Sequence, residues 1–252
     1  MNSPIATFGA LLYAWVLCFY IRRSAVASHA HPAGTSRNNF IRTLNKRIIL
    51  FLLTYCIQLI YIPTSQRISG GMEPKLSIDI FPIWAIWVVP YVLCYALWLL
   101  CVIWIILNTE DRVFRSFLAA CVFTFTFAVL IFILFPTYVK PATLLGNDIF
   151  TVWLRLLYTK WGRYDAFPSG HIYITTLLML FFSRLYPRQR FLWILILMIV
   201  SFSTLFTGQH YVADVLGGYA VAFSGYHFGL WWAGFLPPQK RPGKRIPSSS
   251  LN

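Results

Sequence analysis

"DAFPSGHIYITTLLMLFF", residues 165–182, is the stretch from which the fold can be read. From Ile172 to Phe182 it carries no charge, and its only polar side chains are Tyr173, Thr175 and Thr176. Pro168 and Ser169 stand just before it, and both are helix-start residues. Ser169, Gly170 and His171 therefore sit at the mouth of an apolar helix. Polar groups there must face water, protein or a ligand, because hydrocarbon leaves them unpaired at a cost of several kcal/mol each.

Working outward, the same apolar character recurs along the chain. Of 252 residues, 58% are hydrophobic and only 11% are charged. A soluble domain carries about 25% charged residues. Apolar runs predict helices near 5–21, 47–64, 81–107, 115–136, 168–186, 190–209 and 212–235. The expected fold class is all-α: a polytopic membrane bundle with a six-helix core and one added N-terminal helix. Pro90 predicts a kink or tilt in the third run. Residues 1–46 read as the N-terminal helix and a basic loop with a short interfacial helix near 39–47, 47–235 as the core, and 236–252 as a basic, disordered tail.

The net charge of +14 suggests nucleic acid at first sight. Its distribution argues otherwise. Loops 22–46, 108–114, 187–189 and the tail, with adjoining helix ends, hold 15 of the 21 Lys and Arg. That asymmetry marks a cytoplasmic side. No aromatic-basic stripe or binding module is present, so no nucleic-acid partner is expected. The five cysteines, Cys18, Cys56, Cys94, Cys101 and Cys121, all lie in apolar runs without a C-x-x-C pair, and predict neither disulfides nor zinc.

A second stretch, "TGQHYVADVLGGY" (207–219), answers the first. His210 and Asp214 are four apart at a helix start, on one face, so the carboxylate can orient the imidazole. His171 and His210 are separated by one apolar helix, the basic turn "SRLYPRQR" and a second apolar helix. Two spans of about 20 residues go across and come back. Both imidazoles therefore reach the same membrane face, opposite the basic turn and hence extracytoplasmic. A helix N-terminus, two imidazoles and a carboxylate suit phosphoryl transfer, with one His attacking phosphorus and the other protonating the leaving oxygen. Two His and one carboxylate also fit a metal triad.

"FPSGH" (167–171) and "GQHYVAD" (208–214) resemble two of the three signature motifs of the type 2 phosphatidic acid phosphatase superfamily, the haloperoxidase-like lipid phosphate phosphatases. The resemblance covers about residues 76–234. It implies a phosphohistidine on His210, orientation by Asp214, general acid catalysis by His171, and phosphate binding by Ser169 and Gly170, without metal or other cofactor. The third motif departs from the pattern: "FPTYVKPA" (135–142) offers Lys140 with no Lys between Phe117 and Val139, and Thr204 stands where an Arg is usual. Lys140 remains as a phosphate-binding candidate, with Arg163 or Lys160 in compensation; as plain readings, Lys140 snorkels to the interface and Asp165 starts the next helix. Sphingolipid synthases are similar in lacking that Arg and in having an Asp at the position of Asp165.

The expected function is an integral-membrane lipid phosphatase acting on a lipid phosphate or diphosphate. The alternatives are a lipid headgroup phosphotransferase and an inactive transporter or scaffold. The expected partners are the lipid phosphate and the surrounding membrane lipids. "NDIFTVWLRLLYTKW" (147–161) reads as an amphipathic helix on the outer membrane surface. Gly225, Gly229 and Ala233 form a small-residue stripe that permits close helix packing and leaves an oligomer open.

Overall fold

The computed structural model describes residues 37–67, 70–160 and 164–235; the first apolar run, Arg163 and the tail lie outside them. The described helices are α1 (Arg37–Leu59), α2 (Tyr61–Arg67), α3 (Val88–Asn108), α4 (Asp111–Leu134), α5 (Ile149–Lys160), α6 (Gly170–Leu185), α7 (Arg190–Phe206) and α8 (Val212–Trp232). No strand occurs among the described residues; single parallel bridges join Met72 to Thr137 and Thr137 to Asp165. Four stretches, 39–63, 85–108, 111–134 and 187–206, are long and apolar enough to cross a membrane. The apolar helix α6 is shorter.

Three boundaries differ from the sequence reading. The expected interfacial helix near 39–47 is the first part of continuous α1. Arg47 secures that part: its guanidinium pairs with Asp111, donates to the Ile106 carbonyl at 2.8 Å and lies over the Phe114 ring. The third apolar run does not kink at Pro90, because the α-helix starts only at Val88, after a 3-10 turn over Ala85–Trp87. Pro90 thus falls in the first turn, where no intrahelical N–H bond is lost. Finally, α4 begins at Asp111, before the expected 115.

Helix α4 is the central post. It is apolar all round, as a helix surrounded by others must be, and Leu118, Ala119, Ala120 and Ala128 are fully buried. The stripe on α8 packs here: a Cβ on Gly229 would lie 2.3 Å from the Ser116 carbonyl oxygen, and one on Gly225 2.1 Å from Thr124 Oγ1. The small residues thus serve packing within the chain. In lipid, such close approach and interhelical hydrogen bonds hold helices together, each bond contributing about 0.6 kcal/mol. Gln58 and Tyr173 exchange two such bonds (2.6 and 2.9 Å), Trp98 donates to Thr175 (3.0 Å), and Ser201 meets Tyr219 (2.7 Å).

Candidate active site

The hairpin α6–α7 starts at Ser169 and returns at Thr207, with the turn Pro187–Gln189 at its far end. The second motif then crosses in front of the first. Ser169 donates its N–H to the Asp214 carbonyl at 3.0 Å. Gly217 and Gly218 let the strands of chain meet, since a Cβ on Gly218 would stand 3.0 Å from the Ser169 carbonyl oxygen. This brings the imidazoles of His171 and His210 to a centroid separation of 6.2 Å.

His210 is carried by a tight loop. Gly208 has φ +62°, a left-handed conformation that favours glycine. The N–H groups of Gln209 and His210 both donate to the Thr204 carbonyl, at 3.1 and 3.2 Å. Thr204 itself is fully buried, with its hydroxyl bonded to Ser201 O. The position where the family pattern has Arg is here part of the scaffold, and Thr204 is not among the residues that line the cavity.

Asp214 is fully buried. Its Oδ2 accepts the Tyr211 N–H at 2.8 Å and lies 3.4 Å from His210 Nδ1, an ion-pair distance without hydrogen-bond geometry. The carboxylate faces Nδ1, which leaves Nε2 for chemistry. His171 packs in an aromatic collar from α3: Tyr91 stacks on it at 3.9 Å, and Tyr95 and Trp98 lie at 5.3 and 5.4 Å. Its Nε2 and the Ser169 hydroxyl are buried without a hydrogen-bond partner among the described residues. The collar residues follow i, i+4, i+7 spacing, a signal present in the sequence that the motif reading passed over.

Both imidazoles open into a cavity of about 480 Å³, together with Gly170, Gln209, Lys140 and Asp165. That volume lies in the range of small-molecule sites, about 300–1,000 Å³. Most of the remaining wall is aromatic, including Tyr55, Tyr61, Tyr138, Tyr158 and Tyr164. Lys140 is exposed and reaches the cavity from the loop after α4. Burial raises the Asp165 carboxyl above the usual range, and the nearby His210 opposes that rise. The side chain of Lys160 and the whole of Arg163 lie outside the described residues. No group of three or more His, Cys, Asp or Glu among the described residues is arranged to hold a metal ion.

The family model described as the PAP2 superfamily matches residues 81–228, more than half of the chain. An inositol phosphorylceramide synthase of Candida albicans is 30% identical over 97 residues, covering 38% of this chain and 20% of that relative's length. No solved structure matches.

Proposed function

This chain belongs to the PAP2 superfamily, and from that premise we propose that it is a membrane lipid phosphatase working through a phosphohistidine at the extracytoplasmic surface. The observation that carries the reading is the convergence of His171 and His210 on one cavity, with Asp214 buried behind His210, from two motifs joined by a helical hairpin.

In the first step Nε2 of His210 attacks phosphorus in line. The P–O bond to the lipid alcohol breaks, its electron pair goes to oxygen, and His171 supplies the proton. In the second, water attacks the phosphohistidine, His171 takes a water proton, and the P–N electrons return to Nε2. Asp214 holds the Nδ1–H tautomer and supports positive charge on the ring. The Ser169 hydroxyl, the amides opening α6 and Lys140 hold the phosphoryl oxygens as charge redistributes. The excess of basic residues in the loops of the opposite side supports an extracytoplasmic site. There a lipid headgroup enters the cavity while its tails stay in hydrocarbon.

Asp165 favours a second reading, transfer to an alcohol. Its carboxyl lines the cavity with both imidazoles, where it can take the proton of an acceptor hydroxyl. The similarity to an inositol phosphorylceramide synthase points the same way. Phosphate release and headgroup exchange, assayed over a panel of lipid phosphates, diphosphates and phospholipids, separate the two. His210→Ala should abolish whichever occurs, and a wild type that turns over no lipid on the panel would leave a transporter or scaffold.

A further inference from the structure

We infer that Glu73, Asp79 and Tyr158, all outside the two motifs, are positioning residues that clamp the His210 loop on both flanks. The catalytic part of this inference rests on the phosphoryl-transfer reading above.

The segment 206–212 is gripped at four places. The Trp84 N–H donates to the Phe206 carbonyl at 2.9 Å. The Tyr158 hydroxyl, from α5, donates to the Thr207 carbonyl at 2.7 Å. The Tyr211 hydroxyl donates to Glu73. The Val212 N–H donates to Asp79 Oδ1 at 2.8 Å. His210 lies between these anchors. Any side chain on Gly208 would collide with Ile83, since a Cβ would stand 2.7 Å from Ile83 Cδ1.

The anchors are themselves fixed. Asp79 uses its other oxygen to accept the Leu76 N–H at 2.7 Å. Beside Glu73, the Met72 N–H donates to the Pro136 carbonyl (3.0 Å), and the Tyr138 N–H to the Met72 carbonyl (3.1 Å). The chain has only seven acidic residues, and two of them hold the adjacent residues Tyr211 and Val212. A carboxylate at the first residue of α8 also complements the positive end of that helix. His210 needs this support because its own link to Asp214 is loose at 3.4 Å. An error of about 1 Å in a reacting group lowers rate by about 10²-fold.

The test compares the full-length wild type in detergent with Asp79→Ala, Asp79→Asn, Glu73→Gln and Tyr158→Phe. Two quantities are read: hydrogen exchange of peptides spanning 206–215, and kcat and KM on a lipid that the wild type turns over. Asp79→Ala should accelerate exchange in 206–215 while peptides from α4 and α6 keep their protection. Its kcat should fall by about 10–100-fold with KM within about twofold. Asp79→Asn keeps one of the two acceptor oxygens and should restore part of both. Glu73→Gln should give a smaller loss of the same kind. If Asp79→Ala fails to fold, Tyr158→Phe, which deletes one oxygen, decides the matter with faster exchange and a several-fold lower kcat. Unchanged exchange in 206–215, or faster exchange with wild-type kcat, overturns the inference. A wild type inert on every lipid defeats the phosphoryl-transfer reading instead, and the exchange data then decide the clamp alone.

Discussion

Two helix N-termini meet at this site, and they are finished differently. At α8 two amides are taken by carboxylates, the N–H of the N-cap Tyr211 by Asp214 and the N–H of Val212 by Asp79. At α6 no side chain caps the helix: Ser169 makes no side-chain cap bond, and its buried hydroxyl has no partner among the described residues. Both ends carry the same positive partial charge. One has it compensated by the protein and serves as a rigid mount for His210. The other is left without such a partner, beside His171 and Gly170 at the cavity wall, and under the proposed function it receives the phosphoryl group. Three oxygen-bearing side chains thus leave two identical backbone devices in different electrostatic states.

The largest expected effect lies at the α8 end. Asp214→Asn keeps the size of the side chain but presents an amide to Nδ1 and so disturbs the tautomer. Turnover should fall by about 10⁴-fold, measured as phosphate release or headgroup transfer, with helicity by circular dichroism unchanged. A fall of less than tenfold would show that the α8 end is not a catalytic mount.

The open end is tested by closing it. Ser169→Asp gives α6 a carboxylate of its own and should abolish binding of orthovanadate, a phosphate mimic, read by isothermal titration. Ser169→Ala removes one donor and should lower kcat by about 10²-fold. Equal vanadate affinity in wild type and Ser169→Asp would mean that the anion sits elsewhere.

A smaller effect concerns what holds α8 in place. Gly229→Val forces a side chain against the Ser116 carbonyl and should destabilise by about 1–3 kcal/mol, seen as a lower melting temperature in detergent. If the stripe instead faced a second copy of the chain, the variant would change oligomeric state and leave the melting temperature unmoved.

The smallest effect is a pH dependence at the cavity wall. Burial raises the Asp165 carboxyl, so the folded protein holds that proton more tightly than the unfolded chain. The stabilisation is therefore present in acid and is lost as pH rises through the raised value. Asp165→Asn cannot ionise, and its melting temperature should gain on wild type between about pH 4 and pH 7. A constant difference across that range would place the Asp165 carboxylate in water.

Much of this was legible in the chain. Hydrophobic runs longer than a globular helix needs define the bundle, and the spacing of His171 and His210 brings them to one end, because two spans of similar length must cancel. The i, i+4 relation of His210 and Asp214 follows from helical pitch alone. Even so, the bounds of single elements were less secure. Pro90 reads as a kink only while the helix is assumed to start at 81, and the extended stretch before Ala85 moves it to the first turn. The cluster at 39–47 reads as a separate helix because the sequence does not say that Arg47 will be neutralised by Asp111.

The features written plainly in the chain are local or periodic: an all-helical membrane chain, a hairpin between two motifs, and a pair of imidazoles with a carboxylate behind one of them. The surroundings of those groups arise on folding. The Tyr91–Tyr95–Trp98 collar on His171, the grip of Glu73 and Asp79 on Tyr211 and Val212, and the conversion of Thr204 into scaffold all join elements far apart along the chain. Contacts of that kind have no repeat to betray them. They depend on which faces of which helices come to rest together, and that is settled by close packing of the whole bundle.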